Sequence, residues 1–251
     1  AKYADFLYRK LQRKGWLARD CQRMINQQRN IFAACMVATG DADALVTGLT
    51  RSYHVAMNEL MRVLDTAPDA TLFGISLMIA GGHTVFLADT AVHVSPTPKQ
   101  IADIAIRTAA TARQMGHHPR VAILSFSSFG HPMAERAESV RGAMALLDEM
   151  KVDFEYDGEM SPSIALDKAL MDRVYPFCRL SGPANVLILP GLNAGTIAPQ
   201  LLHKMGNATV IGPLLTGLEH SAQIVPLDTT VSNMVNMAAL AAYGAIKRKE
   251  K

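Results

Sequence analysis

Apolar residues recur along this chain in two spacings that alternate from one end to the other. From Tyr3 to Lys14 they recur at helical spacing among lysine and arginine, which predicts an amphipathic helix with a charged outer face. Short continuous apolar runs, such as Val186-Leu187-Ile188-Leu189, are typical of parallel strands that helices cover on both faces. The pattern therefore predicts an α/β fold with mostly parallel strands.

The two spacings give a predicted order of elements. Helices are predicted at residues 3–14, 18–38, 53–64, 98–115, 133–150, 164–171, 194–205 and 231–248. Strands are predicted at residues 42–47, 72–80, 84–87, 121–125, 154–157, 186–189 and 208–211. Two prolines in Ser95-Pro96-Thr97-Pro98 interrupt regular structure, so we expect a crossing between two lobes there and a return near Gly212-Pro213. The predicted lobes are residues 1–97 with 214–251 and residues 98–213, with a cleft between them.

Composition and charge narrow the class of protein. The chain has 251 residues, 49% of them hydrophobic, and a formal net charge of +3, which excludes a disordered, collagen-like or coiled-coil chain. Its best apolar run, Met237–Ile246, is about half of what a bilayer requires, so we expect a soluble, cytoplasmic protein with no membrane partner. Three cysteines far apart predict reduced thiols. Basic residues cluster at the two ends of the chain and form no continuous stripe, so we expect no nucleic-acid partner.

The junctions between predicted strands and helices contain residues that suit ligand binding. Ser127, Ser128 and Gly130 follow the buried strand at 121–125, and hydroxyls and backbone N–H groups at such a junction form an anion site. The two serines would equally serve as helix N-caps. Asn193, after a later strand, is expected first as a cap and second as a residue facing a ligand crevice.

Other motifs are weaker. Asp157-Gly158-Glu159 places two carboxylates at a strand end, where they suit acid–base chemistry, metal ligation or only a capped turn. None of the eight histidines pairs with another at i, i+4, so no metal site is predicted. The segment 212–217 begins like a phosphate loop, but Leu218 replaces the lysine that such a loop requires. Its glycines are expected to let the backbone approach a ligand or the facing lobe.

Taken together, several segments resemble the phosphate acetyltransferase family. They follow the family's order along most of the chain: Asp43–Gly48, Phe86–Thr90, Ile123–Ser127, Asp157–Glu159, Gly182–Val186, Leu192–Gly195 and Ile211–Leu214. The resemblance implies a two-lobed, three-layer αβα fold with mostly parallel sheets, like that of phosphate acetyltransferase and isocitrate dehydrogenase. It also implies acetyl-CoA contacts at Thr47, Gly48, Arg51, Ser127, Ser128, Gly130, Asn193, Gly195, Gly212 and Pro213.

The chain departs from the family where the family has its catalytic groups. Active members have Leu-Ser-Arg-Gly shortly before Asp-Ile-Val-Asn, whose Ser, Arg and Asp serve CoA thiol activation and acetyl-phosphate binding. Aligned on Met234-Val235-Asn236, those three positions are Pro226, Leu227 and Asn233 in this chain. They provide no hydroxyl, no cation and no base, so no catalytic residue is assigned. Asn58 likewise falls about where a further family arginine is expected.

The segments Gly40–Leu45 and Asn236–Leu240 are similar to one branch, the C-terminal domains of bacterial NADP-dependent malic enzymes. That resemblance implies a domain that binds acetyl-CoA as an allosteric inhibitor, joins subunits into at least a dimer and has no acyltransferase activity. The sites for NADP and a divalent metal, which serve the conversion of malate to pyruvate, would lie in an upstream malic-enzyme domain of a longer protein. The alternatives are an active phosphate acetyltransferase with displaced catalytic groups and a purely structural dimerisation domain.

Overall fold

A computed structural model describes residues 1–132 and 138–249 of the chain. In chain order the elements are α1 (Lys2–Leu11), α2 (Ala18–Gln27), α3 (Arg29–Ala38), β1 (Ala44–Gly48), α4 (Tyr53–Leu60), β2 (Phe73–Ala80), β3 (His83–Ala88), α5 (Pro98–Gln114), β4 (Arg120–Leu124), α6 (Glu138–Met150), β5 (Glu155–Met160), α7 (Pro162–Leu166), α8 (Lys168–Val174), β6 (Val186–Ile188), α9 (Leu192–Met205), β7 (Thr209–Thr216), β8 (Ser221–Val225) and α10 (Val231–Lys249). A short 3₁₀ turn, Gln12–Lys14, follows α1. No helix in the described part of the chain is long and apolar enough to cross a membrane.

The elements form two units, each with its own sheet. Unit 1 comprises Ala1–Leu72 with Gly217–Lys251, and unit 2 comprises Phe73–Thr216. The predicted lobe boundaries, after residues 97 and 213, differ from these limits. The reason is that β2 and β3 hydrogen-bond into the large sheet of unit 2, which takes residues 73–97 into that unit.

Unit 1 is built around a parallel pair of strands, β1 and β8, in register from Ala44 opposite Ser221 to Gly48 opposite Val225. All five residues of β8 are buried. Helices α3, α4 and α10 pack against the pair, and α1 and α2 pack against α3. Because β1 and β8 lie far apart in sequence, their pairing joins the two segments of the chain that make up this unit.

Unit 2 contains a six-stranded sheet in the order β5-β4-β6-β3-β2-β7. Strands β5, β4, β6 and β3 are parallel, whereas β2 is antiparallel to both of its neighbours. Helix α5 packs on β3, β4 and β6, and α9 packs on β3 and β7. The predicted α/β class, with mostly parallel sheets and helices on both sides, is confirmed.

Local differences from the predicted elements have identifiable causes. The helix predicted over 18–38 is two helices, because Gln28 takes an extended backbone conformation between them. The helix predicted over 164–171 is divided at Asp167, which is also extended and whose carboxylate accepts a hydrogen bond from the Leu170 N–H to cap α8. Strand β8 was not predicted, because buried polar residues such as Gln223 interrupt its apolar pattern. In the helix predicted over 133–150, residues 133–137 lie outside the described residues.

The carboxylate of Asp89 organises the loop that follows β3. Asp89 is 1% exposed, and its oxygens accept hydrogen bonds from the backbone N–H groups of Gly74, Ala91, Val92 and His93. The ring Nδ1 of His93 lies 2.7 Å from its second oxygen. Burial raises the pKa of Asp89, but the hydrogen bonds from His93 and the backbone outweigh burial and lower the pKa below its usual value.

We therefore expect Asp89→Asn to lower the free energy of unfolding by about 3 kcal/mol, because the amide nitrogen cannot accept the N–H groups that a carboxylate oxygen accepts. The matched control is Asp172→Asn at the exposed Lys168–Asp172 pair, for which we expect less than about 0.5 kcal/mol. Urea denaturation followed by circular dichroism measures both changes. Equal losses in the free energy of unfolding for the two variants would contradict the role assigned to the Asp89 carboxylate.

The same carboxylate makes stability depend on pH in a defined direction. Its pKa is lowered in the folded state, so its contribution is fully present above the unfolded pKa of about 4 and is lost as pH falls through the folded value. We expect the wild-type free energy of unfolding to decrease below about pH 4 more steeply than that of Asp89→Asn. An equally steep decrease of the free energy of unfolding below about pH 4 in the two proteins would contradict the expectation.

Candidate ligand-binding site

A pocket of about 820 Å³ lies within unit 1, at the end of β1 and along the loop that follows it. This volume is in the range of cavities that bind small molecules and cofactors. Its lining comes from the segments around α3, β1, β8 and α10: Gln27, Arg29, Asn30, Val46, Thr47, Gly48, Leu49, Thr50, Arg51, Val225, Met234 and Ala238. One end of the sheet pair and three helical segments or loops therefore form its wall.

A hydrogen-bonded network fixes the polar side of the pocket. Arg51 Nη1 lies 2.7 Å from Glu59 Oε1, and Asn30 Nδ2 donates to Glu59 Oε2 at 2.6 Å. The Thr47 hydroxyl donates to Asn30 Oδ1. Because both ends of the Asn30 amide are engaged, its orientation is set by its partners.

The lining combines positive charge with apolar surface. Arg29 and Arg51 provide two guanidinium groups, and no Asp or Glu is among the described lining residues. Val225 and Met234 provide part of the apolar wall. The pocket is thus suited to a ligand that has an anionic group at one end and an apolar body.

Three of the residues predicted to contact a ligand come together here. Thr47, Gly48 and Arg51 all line the pocket. Arg62, another arginine of unit 1, does not line the pocket: its guanidinium stacks over the Trp16 ring, 5.5 Å from the centroid. It is therefore occupied by packing rather than directed into the pocket.

In unit 2 two donors of the predicted anion site, Ser127 and Gly130, bind a carboxylate of the same chain. The Ser127 hydroxyl donates to Glu159 Oε1 at 2.7 Å, and the Gly130 N–H donates to the same oxygen at 3.1 Å. Glu159 is 1% exposed, and its other oxygen lies 3.5 Å from Arg141 Nη1. Two of the predicted anion-binding donors thus bind an internal carboxylate, that of Glu159.

The second serine and the acidic motif have structural partners as well. Ser128 Oγ accepts the Ser161 N–H at 3.0 Å. Asp157 accepts the N–H groups of Gly158 and Arg179 at 2.9 and 2.7 Å. The motif lies within β5 and not at a strand end, and neither contact caps a helix; through Arg179, Asp157 instead connects β5 to the segment after α8. No group of three or more His, Cys, Asp or Glu that could hold a metal ion occurs among residues 1–132 and 138–249.

The remaining predicted contacts belong to unit 2, and three of them, Gly195, Gly212 and Pro213, lie where the backbone packs closely. A Cβ at Gly195 would lie 2.1 Å from the Asp89 carbonyl oxygen, and one at Gly212 would lie 2.7 Å from the Ile75 carbonyl oxygen. Pro213 packs against Gly74, where a Cβ would approach it to 3.1 Å. Asn193 is exposed in the first turn of α9, for which Gly191 is the N-cap residue.

Sequence reasoning missed Arg29, Asn30 and Glu59. Arg29 and Asn30 fall at the start of α3, in the middle of what was predicted as one continuous helix, so their place at a helix end was not visible. Glu59 lies on α4 eight residues after Arg51, and no local spacing rule relates the two. The available signal was that Glu59 is the one acidic residue of α4.

Comparisons with known proteins agree with this fold. Residues 1–242 match the family described as Phosphate acetyl/butaryl transferase. The chain is 52% identical to the NADP-dependent malic enzyme of Rhizobium meliloti over 97% of its own length and 32% of that protein. It is 31% identical to the phosphate acetyltransferase of Corynebacterium glutamicum over 90% of this chain and 69% of that protein. A phosphotransacetylase structure from Streptococcus pyogenes superimposes with a TM-score of 0.89 at 26% identity, covering 98% of this chain and 76% of that one.

The two kinds of relative differ in length. The chain spans about a third of the malic enzymes that it matches, 32% in Rhizobium meliloti and 33% in Rickettsia prowazekii, where a probable NADP-dependent malic enzyme is 43% identical over 98% of this chain. Similarity to the malic enzymes therefore concerns only that portion of them.

Gly48 lines the pocket at a point where the backbones of β1 and β8 leave no room for a Cβ. Its φ is +132°, and a Cβ there would lie 2.1 Å from the carbonyl oxygen of Val225, the residue opposite it in β8. We expect Gly48→Ala to push β1 away from β8 and to lower the free energy of unfolding by about 3 kcal/mol, through strain and lost pairing.

The control is Gly40→Ala, which also has a positive φ of +78° but whose Cβ would meet no atom within 4 Å. We expect it to cost about 1 kcal/mol, for backbone conformation alone. Urea denaturation of the two variants measures the difference. A cost for Gly48→Ala no larger than that for Gly40→Ala would show that the close approach to Val225 does not constrain this strand.

Proposed function

Because the chain belongs to the phosphate acetyl/butaryl transferase family, we propose that the unit 1 pocket binds acetyl-CoA, and that it does so as an effector site without acyl transfer. Family membership supports the ligand class. The fold alone does not determine activity, so the residue types at the site must decide whether acyl transfer occurs. Those residue types support binding without turnover.

One observation carries this proposal. Val225 and Met234 line the pocket, and the positions where active members have their catalytic groups are adjacent to these two residues. Pro226 follows Val225 directly, and Asn233 precedes Met234. At these positions and at Leu227, the side chains offer neither a nucleophile-activating base nor a cation for a phosphate or an oxyanion. The pocket is thus retained beside positions that have lost the catalytic residue types.

The pocket also matches the chemistry of the ligand. Acetyl-CoA joins phosphate groups to a long, largely apolar arm with amide groups. Arg29 and Arg51 are suited to the phosphates, because guanidinium groups form charge-assisted hydrogen bonds with them. Val225, Met234 and Ala238 are suited to the arm.

We further propose that the chain acts within a longer malic enzyme, in which acetyl-CoA binding inhibits the conversion of malate to pyruvate. NADP and the divalent metal would be bound by the malic-enzyme domain outside this chain, and this domain would join subunits into an oligomer of at least two. Similarity to the Rhizobium meliloti enzyme supports this placement. Inhibition requires that acetyl-CoA bind one quaternary state more tightly than another.

Isothermal titration of acetyl-CoA into the chain tests the binding site. We expect saturable binding to the wild type, and a dissociation constant about tenfold higher for Arg51→Ala, because a charge-assisted contact to phosphate is lost. Arg13→Ala removes the same charge from an exposed position that does not line the pocket, so we expect it to change affinity less than twofold.

Two results would oppose the proposal. Formation of acetyl-CoA from CoA and acetyl phosphate faster than in buffer would identify an active phosphate acetyltransferase with displaced catalytic groups. The absence of any heat of binding for the wild type at millimolar acetyl-CoA would favour a purely structural dimerisation domain.

A further inference from the structure

Glu59 is an unusual neighbour for a pocket suited to an anion. Its side chain is 8% exposed, and it lies on α4, behind the lining residues. Each of its oxygens is engaged by a pocket residue, one by Arg51 Nη1 at 2.7 Å and the other by Asn30 Nδ2 at 2.6 Å. One carboxylate thus connects α4, the start of α3 and the loop after β1.

Charge alone gives no reason for a carboxylate at this place. Burying a carboxylate costs solvation free energy, and its negative charge repels an anionic ligand in the adjacent pocket. Its benefit must therefore be geometric. Arg51 is 45% exposed, and without a partner its long side chain would occupy many rotamers that binding must then restrict.

We propose that Glu59 is a positioning residue, which holds the Arg51 guanidinium and the Asn30 amide in the orientation that receives the anionic group of the ligand. This inference rests on the proposed function for the identity of the ligand. With one guanidinium nitrogen held by Glu59, the remaining N–H donors of Arg51 are fixed in direction. The pocket is then organised before the ligand arrives.

The direction in which Glu59→Gln changes the affinity for acetyl-CoA distinguishes a positioning role from a purely electrostatic one. Glu59→Gln removes a negative charge near the pocket, so electrostatics alone predicts tighter binding of acetyl-CoA. Positioning predicts the opposite, a dissociation constant about tenfold higher, because Arg51 must be ordered at the moment of binding. Tighter or unchanged binding by Glu59→Gln would overturn the proposal.

Glu59→Asp provides a second test that keeps the charge but shortens the side chain by one methylene. We expect it to weaken binding to a similar extent, whereas wild-type affinity would show that charge, and not position, matters. Glu219→Gln is the matched control, since Glu219 is an exposed carboxylate of unit 1 that does not line the pocket. We expect its affinity to stay within twofold of the wild type.

A double-mutant cycle distinguishes positioning from a general loss of structure. If Glu59 acts by holding Arg51 and Asn30, Glu59→Gln weakens binding less in the Arg51→Ala background than in the wild type, because only Asn30 is left to be positioned. If the substitution only loosens unit 1, it weakens binding by the same factor in both backgrounds. The latter result would overturn the role assigned to Glu59.

A measurement without ligand keeps this inference separable from the proposed function. NMR of the arginine side chains reports rotation about the Nε–Cζ bond, and Arg51 is assigned by the signal that Arg51→Lys removes. We expect separate, slowly exchanging Nη signals in the wild type and averaged signals in Glu59→Gln. Averaged Arg51 signals in the wild type would overturn the positioning role. Separate signals together with no binding of acetyl-CoA would support the positioning role and contradict the proposed function.

Discussion

The parallel pairing of β1 with β8 is the constraint on which unit 1 and its pocket depend. The chain leaves unit 1 after Leu72 and returns at Gly217, so this pair joins segments that the whole of unit 2 separates in sequence. A Cβ at Gly48 would lie 2.1 Å from the carbonyl oxygen of Val225, and both residues line the pocket. The contact that joins the two segments of unit 1 therefore also forms part of the pocket wall, and a single Cβ at Gly48 would disturb both.

Buried carboxylates have different consequences in the two units. In unit 2, Asp89 accepts the N–H groups of its own loop, and Glu159 accepts donors from the junction after β4. These acids satisfy backbone and hydroxyl groups that would otherwise be available to an external anion. In unit 1, Glu59 engages side chains that line a cavity, so its effect extends to whatever binds there. The same chemical group thus stabilises the scaffold in one unit and holds side chains that line a pocket in the other.

Sequence patterning predicted the regular core and part of the site. The capping box of Thr97 and Gln100 fixes the start of α5 where the prolines indicated it, and the apolar run at 186–189 contains β6, a central strand of the large sheet. Local patterns failed where a distant partner decides the structure. Strand β8 contains buried polar residues, of which Ser221 donates to the Ala241 carbonyl oxygen in the distant helix α10, and the Arg51–Glu59 contact depends on how α4 folds back. At Ser127 the motif predicts an anion site, and in the structure the Ser127 hydroxyl donates to Glu159, a carboxylate of the same chain.

The central claim is that acetyl-CoA binds within the unit 1 pocket. Methyl NMR of the methionines, observed during titration with acetyl-CoA, tests it most directly, because Met234 lines the pocket and Met171 lies in the core of unit 2. The account predicts a saturable shift of the Met234 methyl signal with little change at Met171. A Met234 signal that stays constant while acetyl-CoA binds, or a shift confined to unit 2, would contradict it.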